Sequence, residues 1–428
     1  MIKDFSVENY LSIREKQSIT FESVSKSEAD DMLTVEVKPN LHLNKLAVFY
    51  GANASGKSNM LWALETIFMM LFKPSRTKEE SISTYRPFAL CADKPTKMSV
   101  SFFKKNIQYN YQLEYCQSHI IYEKLEFYPS GVKSLFYERK FVDKDLRANI
   151  QFGNNLGLHL DSKKTLAENT WNNNTVLSTC GKISLKEDAR DLTDLHTWIK
   201  QYVHDINGDE EKSIKEIVEG ANKDPRMKKF FIQMLCKADF NITDFSIVEV
   251  PNVIPAEVRA VIEDNSSISD SMKKELLKPV KETPTFVNHS DDGDFSIPQS
   301  LQSAGTLHYL KLLDFLYDLI SGGHIYFLDE LSEFLHEDLL SYYISTFLFN
   351  SKSSQLIFTT QDSSILDEDF IARDMVWISE KSKTTASSEY QRASSFGLHK
   401  NLSLYKSYRI GRLGGKPELG SPYLNLED

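Results

Sequence analysis

The run Gly51-Ala-Asn-Ala-Ser-Gly-Lys57-Ser58 fits the pattern G-x-x-x-x-G-K-[ST], which is typical of a loop that binds phosphate groups. In such a loop the glycines let backbone N–H groups close around a triphosphate. Lys57 reaches the β- and γ-phosphates, and the Ser58 hydroxyl ligates Mg²⁺. The predicted nucleotide-binding residues here are Gly51, Asn53, Ala54, Ser55, Gly56, Lys57, Ser58 and Asn59.

The flanking sequence provides the strand and the helix that must position such a loop. The apolar run Leu46–Tyr50 ahead of it indicates a buried strand. Behind it, apolar residues recur at steps of three and four, which is the period of an amphipathic helix. These residues are Met60, Leu64, Ile67, Phe68 and Leu71. A helix that begins near Lys57 would direct its free N–H groups at the phosphates, which favours a phosphate loop over an ordinary glycine-bearing turn.

A pair of adjacent carboxylates, Asp329 and Glu330, follows the short apolar run His324–Leu328. In open α/β sheets, ligands bind at the carboxyl ends of the strands. We predict that Asp329 holds Mg²⁺ together with Ser58, and that Glu330 orients or deprotonates the attacking water. An acidic turn at the end of a strand is the alternative, which the phosphate loop disfavours.

A third segment, Gln302–Thr306, precedes apolar residues at helical spacing. Ser303 is a favourable N-cap residue. A serine and a glycine at the start of a helix also present a hydroxyl and backbone N–H groups to an anion, so Ser303 and Gly305 join the predicted nucleotide site. The position of this segment between the phosphate loop and the carboxylates favours that role over plain capping.

Length and composition bound the possible classes of protein. The 428 residues suffice for one large domain with an insertion, or for two to three ordinary domains. The hydrophobic fraction of 41% and the charged fraction of 26% are those of a globular protein. The sequence predicts neither a membrane span nor a secretory signal, and we expect a cytoplasmic location. Four widely separated cysteines argue against a zinc site or disulfides, and the net charge of −10 gives no general reason to expect nucleic-acid binding.

The fold class predicted for the chain is α/β, with three regions. Residues 1–180 form an N-terminal ATPase lobe with the phosphate loop and an antiparallel sheet, because short aromatic and β-branched runs alternate with polar turns. Residues 181–290 have helical periodicity and form an inserted helical region. Residues 291–428 form a C-terminal lobe in which strand-like and helical runs alternate.

Together these segments resemble an ATP-binding-cassette-type ATPase of the SMC/RecF/OLD-like group, and most closely the AAA-family ATPases of bacterial abortive-infection systems. The resemblance spans nearly the whole chain. Besides the phosphate loop, it is carried by Val7-Glu-Asn-Tyr-Leu-Ser12, Ala238-Asp-Phe-Asn-Ile-Thr-Asp-Phe245, Gln302-Ser-Ala-Gly-Thr306, Phe327-Leu-Asp-Glu-Leu-Ser-Glu-Phe-Leu-His336, Leu356-Ile-Phe-Thr-Thr-Gln-Asp362 and Tyr408-Arg-Ile-Gly-Arg-Leu-Gly-Gly415.

The resemblance implies a homodimer, or a higher oligomer, in which two head domains sandwich ATP with Mg²⁺. Ser303 and Gly305 of one subunit would contact the γ-phosphate held by the phosphate loop of the other. The helical region is too short for the coiled coil of SMC-type proteins. Only 66 residues follow Asp362, which leaves no room for the nuclease domain of OLD-type enzymes, so the effector is expected to be a separate protein such as a nuclease.

Two departures from the family pattern concern the site. Gln361 stands where the family usually has a switch histidine, and we assign it a catalytic position beside Glu330. An amide hydrogen-bonds a phosphate or water but carries no imidazolium charge, so we hypothesise slow hydrolysis. Leu11 stands where a basic residue often contacts phosphate, and Arg14 is a possible substitute.

Three functions compete. The leading interpretation is a nucleotide-switched sensor and scaffold in antiphage defence, and its defence component comes from resemblance alone. The second is a RecF-like repair clamp that binds duplex DNA in an ATP-dependent and salt-dependent manner. The third is an interaction protein that binds nucleotide without turnover, which Gln361 favours and the intact pair Asp329 and Glu330 disfavours.

Four other features have structural rather than functional interpretations. The aromatic-rich segment 98–142 is interpreted as sheet core rather than a partner surface. The charged cluster around Arg139 is interpreted as a solvated face, and the acidic segment Asp291–Asp294 as a loop rather than a cation site. His289 and His336 are predicted to be structural. The members of the charged cluster are Arg139, Lys140, Asp143, Lys144, Asp145 and Arg147. The best basic patch consists of Lys406, Arg409, Arg412 and Lys416, and it suits DNA, an acidic partner or solvent.

Overall fold

The computed structural model of the chain describes residues 1–24, 32–142, 147–206, 212–399, 402–417 and 420–421. The chain divides into two compact units. The first comprises Met1–Asp209 and Asp318–Asp428, and the second comprises Glu210–Tyr317. These bounds differ from the predicted insertion of 181–290, because apolar residues of the segment 190–202 belong to the core of the first unit.

A six-stranded sheet in the first unit carries the phosphate loop. In spatial order its strands, numbered along the chain, are β11 (Val203–His204), β15 (Ile325–Leu328), β16 (Gln355–Thr359), β5 (Leu46–Tyr50), β17 (Val376–Lys381) and β18 (Ser388–Arg392). All neighbours are parallel except β17 and β18. Strands β5, β15 and β16 are buried along their whole length, which explains their continuous apolar runs. Their carboxyl ends therefore meet at one edge of the sheet.

A seven-stranded antiparallel sheet forms the other large sheet of the first unit. Its strands in spatial order are β10 (Arg147–Phe152), β9 (Ser134–Val142), β8 (Ile120–Tyr128), β7 (Ile107–Tyr115), β6 (Thr96–Lys104), β1 (Ile2–Glu8) and β2 (Gln17–Thr20). A hairpin pairs β3 (Thr34–Lys38) with β4 (Leu41–Asn44). The predicted antiparallel meander and α/β class are confirmed.

Helix α1, which begins at Lys57 as the spacing predicts, packs between the two large sheets. The Phe68 ring lies 5.6 Å from the Phe102 ring of β6 and 6.4 Å from the Phe327 ring of β15. The helices of the first unit are α1 (Lys57–Phe72), α2 (Leu160–Asn169), α3 (Val176–Cys180), α4 (Arg190–Tyr202), α10 (Glu337–Asn350) and α11 (Leu404–Arg409). Among the described residues, no helix is both long and apolar enough to cross a membrane.

The interpretation of Arg139 as part of a solvated face is wrong. Its side chain is completely buried, 3.5 Å from the Glu123 carboxylate, and it donates to the carbonyl oxygens of Trp171, Asn172 and Asn174. Burial raises the pKa of Glu123, which the cation of Arg139 opposes. The side chains of β9 point alternately to its two faces, and Arg139 falls on the inner face. Its partner Glu123 lies 16 positions away, and no sequence pattern links the two residues. The cluster members Asp143, Lys144 and Asp145 lie outside the described residues.

The second unit combines helices with a three-stranded antiparallel sheet. Its helices are α5 (Ile214–Lys223), α6 (Pro225–Lys237), α7 (Ala256–Asp264), α8 (Asp270–Leu276) and α9 (Ala304–Ser321), of which the last turn belongs to the first unit. Its strands are β12 (Ile242–Pro251), β13 (Val280–Asn288) and β14 (Phe295–Pro298). The region 181–290, predicted as helical, thus contains β12 and β13 as well as the short strand β11 of the first unit. The predicted loop between β13 and β14 holds a 2.8 Å contact between His289 Nδ1 and Asp294.

Candidate functional site

The phosphate loop connects the carboxyl end of β5 to the first residue of α1. Gly56 has a left-handed φ of +104°, which a residue with a side chain rarely adopts, and the helix begins immediately after it. Ala54 is also left-handed, with a φ of +63°, and is exposed with Asn53 at the tip of the loop. The backbone turn that precedes the helix N-terminus is therefore tight and directs the N–H groups of the first turn toward the loop.

A shell of hydroxyl groups from distant strands fixes this loop from behind. A Cβ on Gly51 would clash with Ser379 of β17, and a Cβ on Gly56 would clash with Ser388 of β18. Ser55 Oγ shares a 2.6 Å hydrogen bond with Ser379, while Ser388 Oγ donates to the Ser55 carbonyl at 2.6 Å. Tyr390 donates to the Gly56 carbonyl at 2.5 Å. Both glycines are therefore required by packing as well as by the turn.

The segment that follows β1 joins the same shell. Ser12 Oγ accepts from Asn59 Nδ2 at 2.6 Å and shares a 2.7 Å hydrogen bond with Ser388. Arg14, proposed as a substitute for a basic residue at Leu11, lies 3.5 Å from Glu15. The link from this segment to the phosphate loop is therefore the Ser12 hydroxyl.

Lys57 is buried at the start of α1 and folds back over the loop. Its Nζ donates to the carbonyl oxygens of Gly51 at 3.0 Å and Ala52 at 3.4 Å. Burial lowers the pKa of this lysine, whereas the nearby carboxylates of Glu330 and Asp329 act in the opposite direction. The ammonium group is thus held inside the loop, at the position where phosphates would approach.

Ser58 and Asp329 meet although 271 positions separate them in the sequence. Ser58 Oγ donates to Asp329 Oδ1 at 2.9 Å, and Thr359 Oγ1 donates to the same oxygen at 2.5 Å. Hydroxyl and carboxylate oxygens are the ligands that Mg²⁺ prefers. Adjacent oxygens of an octahedral Mg²⁺ shell stand about 2.9 Å apart, so these two residues fit such an ion.

Glu330 has an unusual backbone conformation for a residue with a side chain. Its φ is +50°, and its N–H donates to Thr359 Oγ1 at 2.8 Å. Such a conformation costs about 1–3 kcal/mol and persists only where the surroundings impose it. Here Thr359, at the end of β16, bonds both carboxylate-bearing residues and thereby fixes the turn.

Gln361 lies beside the carboxylate to which we assigned the water-activating role. Its Nε2 donates to Glu330 Oε1 at 3.1 Å, and its side chain is exposed. The predicted positions of Lys57, Ser58, Asp329, Glu330 and Gln361 are therefore brought together at one edge of the parallel sheet. This is the edge at which open α/β sheets bind their ligands.

Ser303 and Gly305 belong to the second compact unit, at the start of α9. Ser303 Oγ accepts from the Thr306 N–H at 3.0 Å and shares a 2.7 Å hydrogen bond with the Thr306 hydroxyl. This is the predicted N-cap. The Ser303 side chain is exposed, and Gly305 is half-buried. The segment presents a capped helix N-terminus whose hydroxyl is held by residues of its own helix.

Sequence reasoning missed four positioning side chains of the site. They are Thr359, Ser379, Ser388 and Tyr390. Ser379, Ser388 and Tyr390 lie on β17 and β18, which are brought to the phosphate loop by sheet pairing. Thr359 and Ser12 had one available signal, because they lie in the segments Leu356–Asp362 and Val7–Ser12 that carry part of the resemblance.

The C-terminal segment that contributes to the resemblance also reaches the loop. Gly415 has a left-handed φ of +66°, and a Cβ there would stand 3.4 Å from Gly51 Cα and 2.7 Å from Ile378. Leu413 is buried, whereas the predicted basic residues Lys406, Arg409, Arg412 and Lys416 are exposed.

Residues 46–367 match the profile of the family described as "AAA domain, putative AbiEii toxin, Type IV TA system". This span contains all the predicted site residues, from Gly51 to Gln361. No curated protein matches the sequence significantly.

Among solved structures, the chain is similar to the SMC head domain from Thermotoga maritima, with 11% identity, a TM-score of 0.39, and coverage of 91% of this chain and 98% of that chain. It is also similar to the Smc head domain with an extended coiled coil bound to the C-terminal domain of ScpA, derived from Pyrococcus furiosus, with 11% identity, a TM-score of 0.39, and coverage of 96% and 98%. These values are low, and the family assignment comes from the sequence match.

Proposed function

Because this chain belongs to the AbiEii-type AAA-domain family that its residues 46–367 match, we propose that it is an ATPase that binds ATP with Mg²⁺, hydrolyses it slowly and acts as a nucleotide-dependent switch. The observation that carries this proposal is the 2.9 Å hydrogen bond between Ser58 and Asp329, with Glu330 in the adjacent position. It unites the phosphate loop and the carboxylate strand in one site.

The chain's own residues divide the work of phosphoryl transfer. The loop N–H groups and the Lys57 ammonium bind and orient the phosphates, and their preorganised charge stabilises the transferring group. Ser58 and Asp329 hold Mg²⁺, which supplies further charge stabilisation when bound. Glu330 Oε1 orients the attacking water and accepts its proton.

Slow turnover is supported by the contact between Gln361 and Glu330. The amide donates to the carboxylate oxygen that would take the proton, at 3.1 Å. This hydrogen bond engages the same carboxylate oxygen that the attacking water would use. An amide also cannot supply positive charge to the transition state, so we expect turnover well below many events per second.

The second step of the proposal is an ATP-dependent homodimer. Ser303 and Gly305 of one chain bind the γ-phosphate held by Lys57 of another, and the exposure of Ser303 supports this role. The family description names a putative AbiEii toxin of a type IV TA system. From this and from the resemblance to abortive-infection ATPases, we propose that the assembled state operates in antiphage defence. It controls a separate effector, such as a nuclease, in the cytoplasm.

The decisive experiment measures molar mass by light scattering, with and without Mg·ATP, while phosphate release is followed. Wild type should associate with ATP and turn over slowly. Glu330→Gln should remain associated and lose about 100-fold or more of its turnover, because the base is gone while binding is kept. Lys57→Ala should neither associate nor hydrolyse.

Glu333→Gln is the matched control, because it makes the same chemical change at an exposed glutamate three positions away. It should behave as wild type. If ATP changes neither mass nor phosphate release in wild type, the switch is refuted and the chain is an interaction protein. If Glu330→Gln and Glu333→Gln are indistinguishable, Glu330 does not activate the water.

A further inference from the structure

A second group of ligating side chains lies at the opposite end of β15 from Asp329. His204, Asp318 and His324 each offer one ligand atom, and these atoms all lie within 4.8 Å of one another. We propose that these three residues bind one divalent transition-metal ion, with Zn²⁺ as the preferred ion. This site is independent of the nucleotide site, because it shares none of its residues.

Three segments that lie within the first unit bring the ligands together. Asp318 lies in the last turn of α9, and Gly322 and Gly323, with φ of +104° and +86°, turn the chain from that helix into β15. This turn places His324 directly before the strand. His204 ends β11, which pairs in parallel with β15 so that His204 lies opposite Tyr326.

The spacing of the two imidazoles is close to that of a ligand pair. His204 Nε2 and His324 Nδ1 are 2.8 Å apart. Two nitrogens that each lie about 2.0–2.1 Å from one tetrahedral Zn²⁺ stand about 3.3 Å apart. A separation larger by about half an ångström, within the reach of side-chain rotation, therefore admits the ion.

Tyr326 orients two of the three ligands from behind. Its hydroxyl donates to Asp318 Oδ2 at 2.7 Å, and its ring stacks on the His204 ring at 3.9 Å with an angle of 7°. Tyr202 packs against His324, with ring centroids 4.9 Å apart. Hydrogen bonds and packing of this kind fix ligand orientation at metal sites, and their loss typically lowers affinity about 10–100-fold.

The ligand types select the class of ion. Two imidazoles and one carboxylate suit Zn²⁺ and the neighbouring first-row ions, whereas Mg²⁺ and Ca²⁺ prefer oxygen ligands alone. With three protein ligands, a tetrahedral ion keeps one position for water or an external ligand.

The test titrates Zn²⁺ into chelator-treated full-length protein in excess Mg²⁺, which occupies the oxygen ligands of Ser58 and Asp329. We expect uptake of one Zn²⁺ per chain by calorimetry, with a rise in the melting temperature. Asp318→Asn keeps an acceptor for the Tyr326 hydroxyl but loses the charged ligand, so affinity should fall tenfold or more. His324→Ala should abolish uptake.

The matched control is His289→Ala, which removes another histidine that contacts a carboxylate, at 2.8 Å from Asp294. It should bind Zn²⁺ as wild type does. Circular dichroism monitors the folding of each variant. If His324→Ala does not fold, His204→Gln replaces it as the variant that lacks one histidine ligand. If wild type takes up no Zn²⁺, or if Asp318→Asn and the folded histidine variant bind it as wild type does, the site is refuted and the cluster is a hydrogen-bonded histidine pair.

Discussion

The phosphate loop and the Ser303 segment are both helix N-termini with serine hydroxyls, but they are built differently. The loop before α1 is held by side chains from β17, β18 and the segment after β1. Ser303 is held by Thr306 of its own helix and is exposed. The first arrangement is preorganised within one chain. In the proposed dimer, the second would present its groups to a nucleotide held by another chain, so that each chain would carry both halves of a composite site.

The largest effect should come from a substitution at a glycine of the phosphate loop. Gly56→Ala forces a methyl group against Ser388 at a φ of +104°. It should lower the free energy of unfolding by about 1–3 kcal/mol and weaken ATP binding at least tenfold. Gly220→Ala, in α5 of the second unit with open space around it, should instead stabilise by about 0.5–1 kcal/mol. Chemical denaturation and nucleotide titration measure both; equal effects of the two substitutions would contradict the contrast.

The substitution Ser303→Arg tests the role of the exposed serine at the start of α9. A bulky cation at this exposed position should abolish ATP-dependent association, because the facing chain could no longer approach. ATP affinity at low protein concentration should remain within about threefold of wild type, since the phosphate loop is unchanged. Light scattering and nucleotide titration separate the two properties, and a parallel loss of both would mean that Ser303 supports the chain's own phosphate loop.

The next effect compares Thr359, which bonds the two carboxylate residues, with Thr306, which bonds Ser303. Thr359→Val removes the hydroxyl that bonds both Asp329 and Glu330. We expect hydrolysis to fall roughly tenfold, about 1.4 kcal/mol in barrier, and ATP binding to require a higher Mg²⁺ concentration. Thr306→Val removes only the bond to Ser303 and should leave Mg²⁺-dependent ATP affinity unchanged. ATP affinity as a function of Mg²⁺ concentration is the discriminating measurement. Identical Mg²⁺ dependence in Thr359→Val and wild type would exclude Thr359 as a positioning residue.

The smallest effect concerns a half-buried histidine of the first unit. His196 Nε2 lies 3.2 Å from the Phe72 carbonyl, and burial lowers the pKa of this imidazole below its usual value near 6.5. Protonation therefore favours the unfolded chain, and the stability due to the neutral form is lost as pH falls from about 6.5 toward the lowered pKa. His196→Gln should flatten this part of the stability profile. Denaturation midpoints at several pH values measure it, and a profile unchanged from wild type would contradict the role of His196.

The parts of the site that could be predicted from the sequence are those whose residues lie close together along the chain. The strand, loop and helix around Lys57 are contiguous, and their periods predicted the observed elements. Asp329 was predictable because a buried strand ends there. Ser379 and Ser388 were not, because they contact the loop from β17 and β18, which lie more than 300 positions away from β5 in the sequence.

How well the fold could be predicted also depends on the sequence separation between the residues that pair. The alternating aromatic residues of the antiparallel sheet were recognisable because hairpins pair neighbours in sequence. Strands β12 and β13 were missed because the segments with helical period precede β12, and because helices also separate β12 from β13 in the sequence. Arg139 was misplaced because a charged residue is normally exposed, and its partner Glu123 lies on another strand.

The buried pair of Glu123 and Arg139 specifies the register between the two strands that carry it. The two strands that carry them, β8 and β9, are paired with Glu123 opposite Arg139. A slip of one residue would turn one charge to the other face and leave its counterpart alone in an apolar interior. An uncompensated buried charge costs about 3–5 kcal/mol, so the observed register of β8 and β9 is favoured over a slipped one by roughly this amount.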